Sequence, residues 1–209
     1  MRREGDEPAA GPVPAMAGAT AEAVARRSYG KLVAFLAARI GDVAGAEDAL
    51  SDAFAAALVA WPQSGVPDNP EAWLMAVARR RLIDAARRRR GAAHAVPHLL
   101  LIAEELAAAS SGAAEIPDSR LALMFACAHP AIDPAIRTPL ILQTILGLDA
   151  ATIASAFLVA PSAMGQRLVR AKSKIRQAGI PLRVPDRSGL GERLDAVLQA
   201  IYAAFAEGW

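Results

Sequence analysis

The sequence predicts an all-α protein made of two small helical domains joined by a linker. Alanine, leucine and arginine dominate the periodic stretches, and aromatic residues make up only 5% of the 209 residues. Those three residue types lose least on entering a helix. Apolar side chains recur at helical spacing, and clusters of glycine and proline separate the periodic stretches. A chain of this length is long enough for two small domains.

The first half of the chain predicts a disordered tail followed by a three-helix domain. Residues 1–20 are rich in Gly, Pro and Ala and show no periodicity, which predicts the tail. Residues 61–70 are dense in turn formers and predict a loop, at whose end Asn69 can cap the next helix. The predicted domain spans residues 21–91, with helices from about 22 to 40, 44 to 60 and 70 to 91.

The second half predicts a linker and a second helical domain. Residues 92–118 contain two prolines and a Ser-Ser-Gly run, so they are predicted to be the linker. The second domain is predicted over residues 119–182, with helices near 120, 140–146, 150–158 and 161–178. Residues 183–209 are predicted to be a further linker and the start of one more amphipathic helix.

The net charge of +2 conceals two strongly basic stretches. Residues 79–90 hold seven arginines and one acid, and residues 161–183 hold six basic side chains and no acid. The rest of the chain is therefore acidic. Two separate basic stretches favour a polyanion that is contacted in two places. The alternative is a pair of solvated helix faces, although such faces normally include glutamates.

Residues 149–176 match the spacing of a helix-turn-helix, whose second helix lies in the DNA major groove. Met164 and Leu168 would face the core, and Gly165 is an unfavourable residue within a helix. The alternative is an ordinary helical hairpin with a basic exposed face. The candidate DNA contacts are Ser162, Ala163, Gln166, Arg167 and Arg170, followed by Lys172 and Lys174 at phosphates.

The arginine-rich helix and its preceding loop form a second candidate site. Arginines 79–81 point in different directions at 100° spacing, so they cannot all pair with Asp84. A cationic helix that follows a polar loop suits single-stranded or melting DNA. The alternative, a solubilising role, accounts for arginines 87–90 but not for 79–81. The candidate residues are Gln63, Ser64, Asp68, Asn69, Trp73, Arg79, Arg80 and Arg81.

The helix over residues 44–60 carries a small acidic patch beside apolar residues. Asp48 and Asp52 are one turn apart and share a face, with Glu47 and Phe54 close in sequence. An acidic patch of this kind suits a basic protein partner. Paired carboxylates could instead indicate catalysis or a metal, but no histidine lies near them in the sequence.

We predict no enzymatic activity, no cofactor and no metal. Cys127 and His129 are too few for a zinc site, and Cys127 is expected to be a buried small hydrophobe. The sequence has no Gly-rich phosphate loop and no nucleophile elbow. A lone cysteine and the absence of a long apolar run predict a cytoplasmic protein that does not contact a membrane.

These three features, in this order, resemble the extracytoplasmic-function (ECF) sigma factors of the sigma-70 family. Residues 46–54 (AEDALSDAF) resemble the region 2.2 motif that grips the clamp coiled coil of RNA polymerase. Residues 73–84 (WLMAVARRRLID) resemble regions 2.3 and 2.4, which melt and hold the −10 element. Residues 168–172 (LVRAK) end a stretch similar to the region 4.2 helix-turn-helix, which reads the −35 element. The resemblance covers about residues 21–178.

Four further motifs resemble the ECF subgroup that has a C-terminal helical extension. They are residues 68–74 (DNPEAWL), 127–130 (CAHP), 175–181 (IRQAGIP) and 206–209 (AEGW). In that subgroup a long helical extension follows region 4, whereas this sequence stops after the first helix, so we expect the extension to be either truncated or lost. The subgroup usually has Cys-Cys before His-Pro, whereas Ala126-Cys127 stands here.

The resemblance implies a sigma factor without a catalytic residue. The two domains would dock on the clamp coiled coil and flap of core RNA polymerase, with Glu47, Asp48, Asp52 and Phe54 as the polymerase-binding residues. The helix-turn-helix residues would read the −35 element of promoter DNA, and the loop and arginine-helix residues the −10 element. Candidate regulators are an anti-sigma factor and the C-terminal extension itself.

Two other functions remain open from the sequence. A stand-alone helix-turn-helix repressor predicts tight duplex binding without polymerase, and it leaves the arginine helix unexplained. A helical interaction module that binds no DNA predicts basic faces for acidic protein partners and no polymerase-dependent DNA opening.

Overall fold

The computed structural model describes residues 12–89 and 116–206, which are mostly helical and contain no strand. The predicted all-α class is therefore confirmed. The helices of these two ranges are α1 (Pro12–Ile40), α2 (Val43–Ser64), α3 (Pro70–Arg89), α4 (Arg120–Cys127), α5 (Pro134–Leu146), α6 (Ala150–Ala156), α7 (Pro161–Gln177) and α8 (Arg187–Ala206).

Helices α1, α2 and α3 pack together as the first helical unit. Gly41 ends α1 in the left-handed conformation, with φ of 66°, and Asp42 then caps α2 by accepting a hydrogen bond from the N–H of Gly45. Glu71 in the first turn of α3 joins that helix to α1, since it accepts from the Ser28 hydroxyl and lies 3.5 Å from the Lys31 ammonium. The fully buried side chains of this unit include Leu32, Phe35, Leu36, Leu50, Trp61, Leu74 and Met75.

Helix α1 begins at Pro12, which corrects the predicted disordered tail over residues 12–20. The physical reason is packing, because Ala17, Ala21 and Val24 are all buried against the core. The Gly- and Pro-containing composition of this segment hid the contact, since small alanines are enough to bury a helix face that lies close to its neighbour. Residues 1–11 lie outside the described part of the chain.

Helix α2 continues to Ser64, which corrects the start of the loop predicted over residues 61–70. Trp61 is only 1% exposed, and burying its indole holds the last turn in helical form even though Pro62 removes one backbone donor. The loop is therefore confined to residues 65–69. The predicted cap of α3 is confirmed, because Asn69 accepts a 3.0 Å hydrogen bond from the N–H of Ala72.

Helices α4 to α8 form the second helical unit. Helix α8 begins at Arg187, which corrects the predicted linker over residues 187–191, and it packs on α4 and α5. Val197 and Ala200 are buried in this contact, and the Thr138 hydroxyl lies 3.1 Å from Oε1 of Gln199. Most of the predicted linker, residues 92–115, lies outside the described residues, so the domain boundaries stay predictions.

The two helical units lie directly against each other, because α1 contacts α4 and α5 while α2 contacts α7. The units approach closely at Gly30, where an added Cβ would overlap the carbonyl oxygen of Ile145. Next to it, the ring of Tyr29 lies over Gly147, which ends α5 in the left-handed conformation. The sequence did not predict this contact.

Candidate nucleic-acid interface

Helices α6 and α7 are the pair that the sequence predicts to be a helix-turn-helix, and Asp149 caps the start of α6. The Asp149 carboxylate accepts hydrogen bonds from the N–H groups of Ala151 and Thr152, at 2.8 and 2.9 Å, and from the Thr152 hydroxyl. These hydrogen bonds hold the pKa of Asp149 below its usual value, because they stabilise the charged form.

The turn between α6 and α7 spans residues 157–160 and sets the angle between the two helices. Leu158 has φ of 53°, a left-handed conformation that is costly for a side chain with a Cβ, and it is 93% exposed. The N–H of Val159 donates to the carbonyl of Ala154, and Pro161 occupies the first turn of α7 as predicted. Met164 and Leu168 are buried, which confirms their predicted core positions.

The outward face of α7 presents most of the predicted DNA contacts to solvent. Ala163 is half-buried in the first turn of the helix. No acidic residue lies between positions 161 and 183, so the exposed side of α7 carries basic and polar side chains together with the exposed Val169. Such a face can contact base edges through arginine and glutamine and phosphates through lysine. The exposed residues are Ser162, Gln166, Arg167, Arg170 and Lys174.

Lys172 faces α2 instead of solvent. Its ammonium lies 2.6 Å from a carboxylate oxygen of Glu47, and both side chains are only 12% exposed. One turn further along α7, Arg176 lies 3.1 Å from the carboxylate of Asp42. The structure thus joins a predicted DNA contact, Lys172, to a predicted polymerase contact, Glu47. Asp42 was not among the candidate residues predicted from the sequence. The only signal for it was its position at the start of a predicted helix.

The other acidic residues of α2 lie on its exposed side. Asp48 is exposed, and the side chain of Asp52 is 62% exposed, with one carboxylate oxygen 3.8 Å from Nε of Arg81. Phe54 is half-buried against the core. An ion pair this exposed contributes little to stability, so Asp52 can exchange Arg81 for another cationic partner at small cost.

The arginine helix and its loop lie beside a pair of indole rings. Trp73 on α3 packs edge-on against Trp61, with ring centroids 5.5 Å apart. Arg80 and Arg81 are exposed and Arg79 is half-buried. Four further predicted residues are exposed at the end of α2 and in the loop, namely Gln63, Ser64, Asp68 and Asn69.

Cys127 is fully buried, as the sequence predicted, with Sγ 3.7 Å from the Thr144 hydroxyl. Burial raises the pKa of this thiol to about 12, so it is protonated and unreactive. His129 accepts a hydrogen bond at Nδ1 from the N–H of Ala131. Within residues 12–89 and 116–206, no group of three or more potential ligands could hold a metal ion, and no helix is long and apolar enough to cross a membrane.

Comparison with known proteins finds a family match in the first helical unit. Residues 24–92 match the family model described as sigma-70 region 2, and this match supports a sigma factor of the sigma-70 family. An uncharacterised protein of Rhizobium meliloti is 40% identical over 168 residues, which are 78% of this chain and 40% of that protein. The chain thus spans about two fifths of this curated relative's length. No solved structure matches the chain.

Proposed function

From the presence of a sigma-70 region 2 domain, we propose that this chain is a sigma factor that binds core RNA polymerase and directs it to promoter DNA. The observation that carries the proposal is the sigma-70 region 2 match over residues 24–92. It coincides with the three-helix unit that exposes an acidic pair on α2 and arginines on α3. The proposed function involves no catalytic step.

The exposed acidic face of α2 is the proposed polymerase-binding surface. Asp48 and Asp52 are one helical turn apart and accessible, so they can meet a basic partner together. Phe54 and Glu47 are the other proposed contacts. Because Glu47 is buried against Lys172, it becomes available only when that ion pair separates.

Region 2 is also the proposed site for the melted −10 element. Arg80 and Arg81 on α3 would neutralise phosphates, and the loop over residues 65–69 would receive an unpaired base. Nearby Trp73 offers an aromatic ring, half-buried against Trp61, for stacking. Gln63 and Ser64, at the end of α2, and Arg79 complete this proposed site.

Helices α6 and α7 are the proposed reader of the −35 element. The exposed face of α7 carries both bidentate donors and phosphate-binding groups, as a recognition helix requires. We further assign the chain to the ECF group with a helical C-terminal extension. Support for this finer assignment comes from the motifs at residues 68–74 and 127–130 and from α8, which packs on α5.

Gel filtration with bacterial core RNA polymerase tests the proposal. We expect the wild-type protein to co-elute with the polymerase, and Asp48→Arg/Asp52→Arg to abolish co-elution because two attractive charges become repulsive. The matched control is Glu192→Arg/Asp195→Arg, which makes the same charge change at two exposed positions of α8 and should still co-elute.

Failure to co-elute, together with tight binding of duplex DNA by the protein alone, would contradict the sigma assignment. That result would favour the stand-alone repressor. Absence of both polymerase and DNA binding would instead favour a helical module that binds only other proteins.

A further inference from the structure

A cleft lies between the start of α5 and the outer side of α7. Its volume is about 380 Å³, which is in the range of small-molecule sites. The loop that precedes α5 forms one wall and contributes Ala131 and Asp133, and α7 forms the other wall. The cleft lies outside residues 24–92, which match sigma-70 region 2.

The floor of the cleft is apolar. Ile132, Ile136 and Ala171 line it and are only 2%, 5% and 6% exposed, so they are packed into the protein and cannot turn away from the cleft. An apolar or aromatic ring that lies on such a floor removes apolar surface from water, which the hydrophobic effect favours. The floor therefore suits a ligand that has a ring or another apolar body.

Three cations of α7 stand at the mouth of the cleft. Arg167, Arg170 and Lys174 are exposed, and within residues 12–89 and 116–206 none of the three takes part in an ion pair. They follow one another at spacings of three and four residues, so they lie on one side of the helix. Three like charges gathered at a concave surface raise the local potential and attract an anion.

The loop before α5 compensates little of this positive charge. The Asp133 carboxylate caps α5, where it accepts a 3.0 Å hydrogen bond from the N–H of Ala135. The carbonyl oxygens of Pro130 and Ile132 accept from the Arg137 guanidinium, at 3.2 and 2.9 Å. Three cations against one carboxylate thus leave an excess of positive charge in the lining of the cleft.

We propose that this cleft binds a phosphorylated small molecule of about the size of a nucleotide. Its phosphate groups pair with Arg167, Arg170 and Lys174, and its ring lies on the floor formed by Ile132 and Ile136. Duplex DNA can offer phosphates to the same three cations, but its bases are stacked in its interior and leave the apolar floor uncovered. A free organophosphate matches both parts of the cleft.

Occupation of the cleft takes away three cations that the proposed function assigns to the −35 element. Ligand and promoter therefore compete for α7, and DNA binding depends on the concentration of the ligand. This competition rests on the proposed function, whereas binding of the ligand itself does not.

The first test is a calorimetric titration of the purified protein with ATP, in EDTA and at constant ionic strength. We expect ATP to bind, and inorganic triphosphate to bind more weakly because it has the same phosphates but no ring for the floor. Arg170→Gln/Lys174→Gln should weaken ATP binding about three- to tenfold, because two exposed charge interactions are lost. Absence of ATP binding, or equal affinities for ATP and triphosphate, would overturn the proposal.

A variant that fills the cleft without altering its charges separates a binding site from a mere group of cations. Ala131 is exposed and lines the cleft, so Ala131→Phe should take the space of the ligand and leave the core intact. We expect it to weaken ATP binding about tenfold. The matched control Ala135→Phe makes the same change at an exposed position outside the lining and should bind ATP like the wild type. Unchanged ATP binding by Ala131→Phe would contradict a site in the cleft.

Duplex DNA at low salt distinguishes a free ligand from a DNA phosphate in the cleft. We expect the duplex to displace ATP, because both use the same three cations, and to bind Ala131→Phe as well as it binds the wild type. Weaker duplex binding by Ala131→Phe would overturn the assignment to a free ligand and place DNA in the cleft. Failure of the proposed function looks different, because ATP would still bind while core polymerase and duplex DNA would not.

Discussion

Two helical glycines in this protein differ in the space that surrounds them. Gly165 lies within α7, where an added Cβ would meet only the methyl group of Ala150 at 3.9 Å, an ordinary contact. Gly30 lies within α1, where an added Cβ would overlap the backbone carbonyl of Ile145. Only Gly30 is thus required by packing, since it lets α1 and α5 approach each other closely.

We predict that Gly165→Ala stabilises the protein and Gly30→Ala destabilises it. Replacing a helical glycine that has free space around it lowers the entropy of the unfolded chain, which contributes about 0.5–1 kcal/mol. The same change at Gly30 must push α1 away from α5, which costs about 1–3 kcal/mol. Urea unfolding followed by tryptophan fluorescence measures both, and a stabilised Gly30→Ala would contradict the packing seen at this contact.

At the element scale, the predicted helix-turn-helix depends on the cap that begins its first helix. Helix α6 has only seven residues and could not persist alone, so its stability comes from packing and from its ends. Asp149 supplies an acceptor for two backbone N–H groups that would otherwise lack a partner in the helix. The orientation of α7 therefore depends on a side chain outside the proposed DNA-contacting face.

We predict that Asp149→Ala lowers the Tm at pH 7, and that Asp149→Asn, which keeps an acceptor oxygen, lowers it less. The pKa of Asp149 is lower in the folded protein, so its stabilising effect is fully present above the ordinary aspartate pKa. That effect is lost as the pH falls through the lowered pKa. The Tm difference between wild type and Asp149→Ala should accordingly shrink at acid pH, and a difference independent of pH would contradict a charged cap.

At the scale of the whole molecule, acidic and basic side chains are grouped on separate surfaces, and the first helical unit carries a surface of each kind. The first unit combines an acidic face on α2 with arginines on α3, and the second unit presents the basic face of α7. Where the units touch, acids of α2 meet bases of α7. The small net charge of the chain is thus the balance of basic surfaces, proposed to bind DNA, and acidic surfaces that suit protein partners.

We predict that Arg170→Ala weakens promoter binding by the polymerase complex and reduces its dependence on salt. Loss of one phosphate contact by an arginine lowers the slope of log affinity against log salt by about 0.9, because one condensed counterion fewer is released. Arg187→Ala on α8, which is also exposed but lies outside the proposed DNA face, should change neither quantity. Filter binding at several salt concentrations measures both, and equal slopes for the two variants would remove Arg170 from the DNA interface.

Local chemistry determined much of this protein directly from its sequence. The helical class, the cap at Asn69, the start of α7 at Pro161 and the buried positions Met164 and Leu168 all follow from periodicity and end signals. Such features depend on residues within a few turns of one another. These features can therefore be predicted from a single sequence, and they include most of the candidate nucleic-acid face.

Only the tertiary structure decided which distant surfaces meet. The burial of Ala17 extends α1 into a segment that composition alone marks as disordered, and burial of Trp61 extends α2 through a proline. Glu47 and Lys172 are 125 positions apart, and nothing local to either distinguishes them from their exposed neighbours. Contacts between remote elements depend on the packed geometry of the whole chain, so the pairing of the two units was beyond any reading of the sequence.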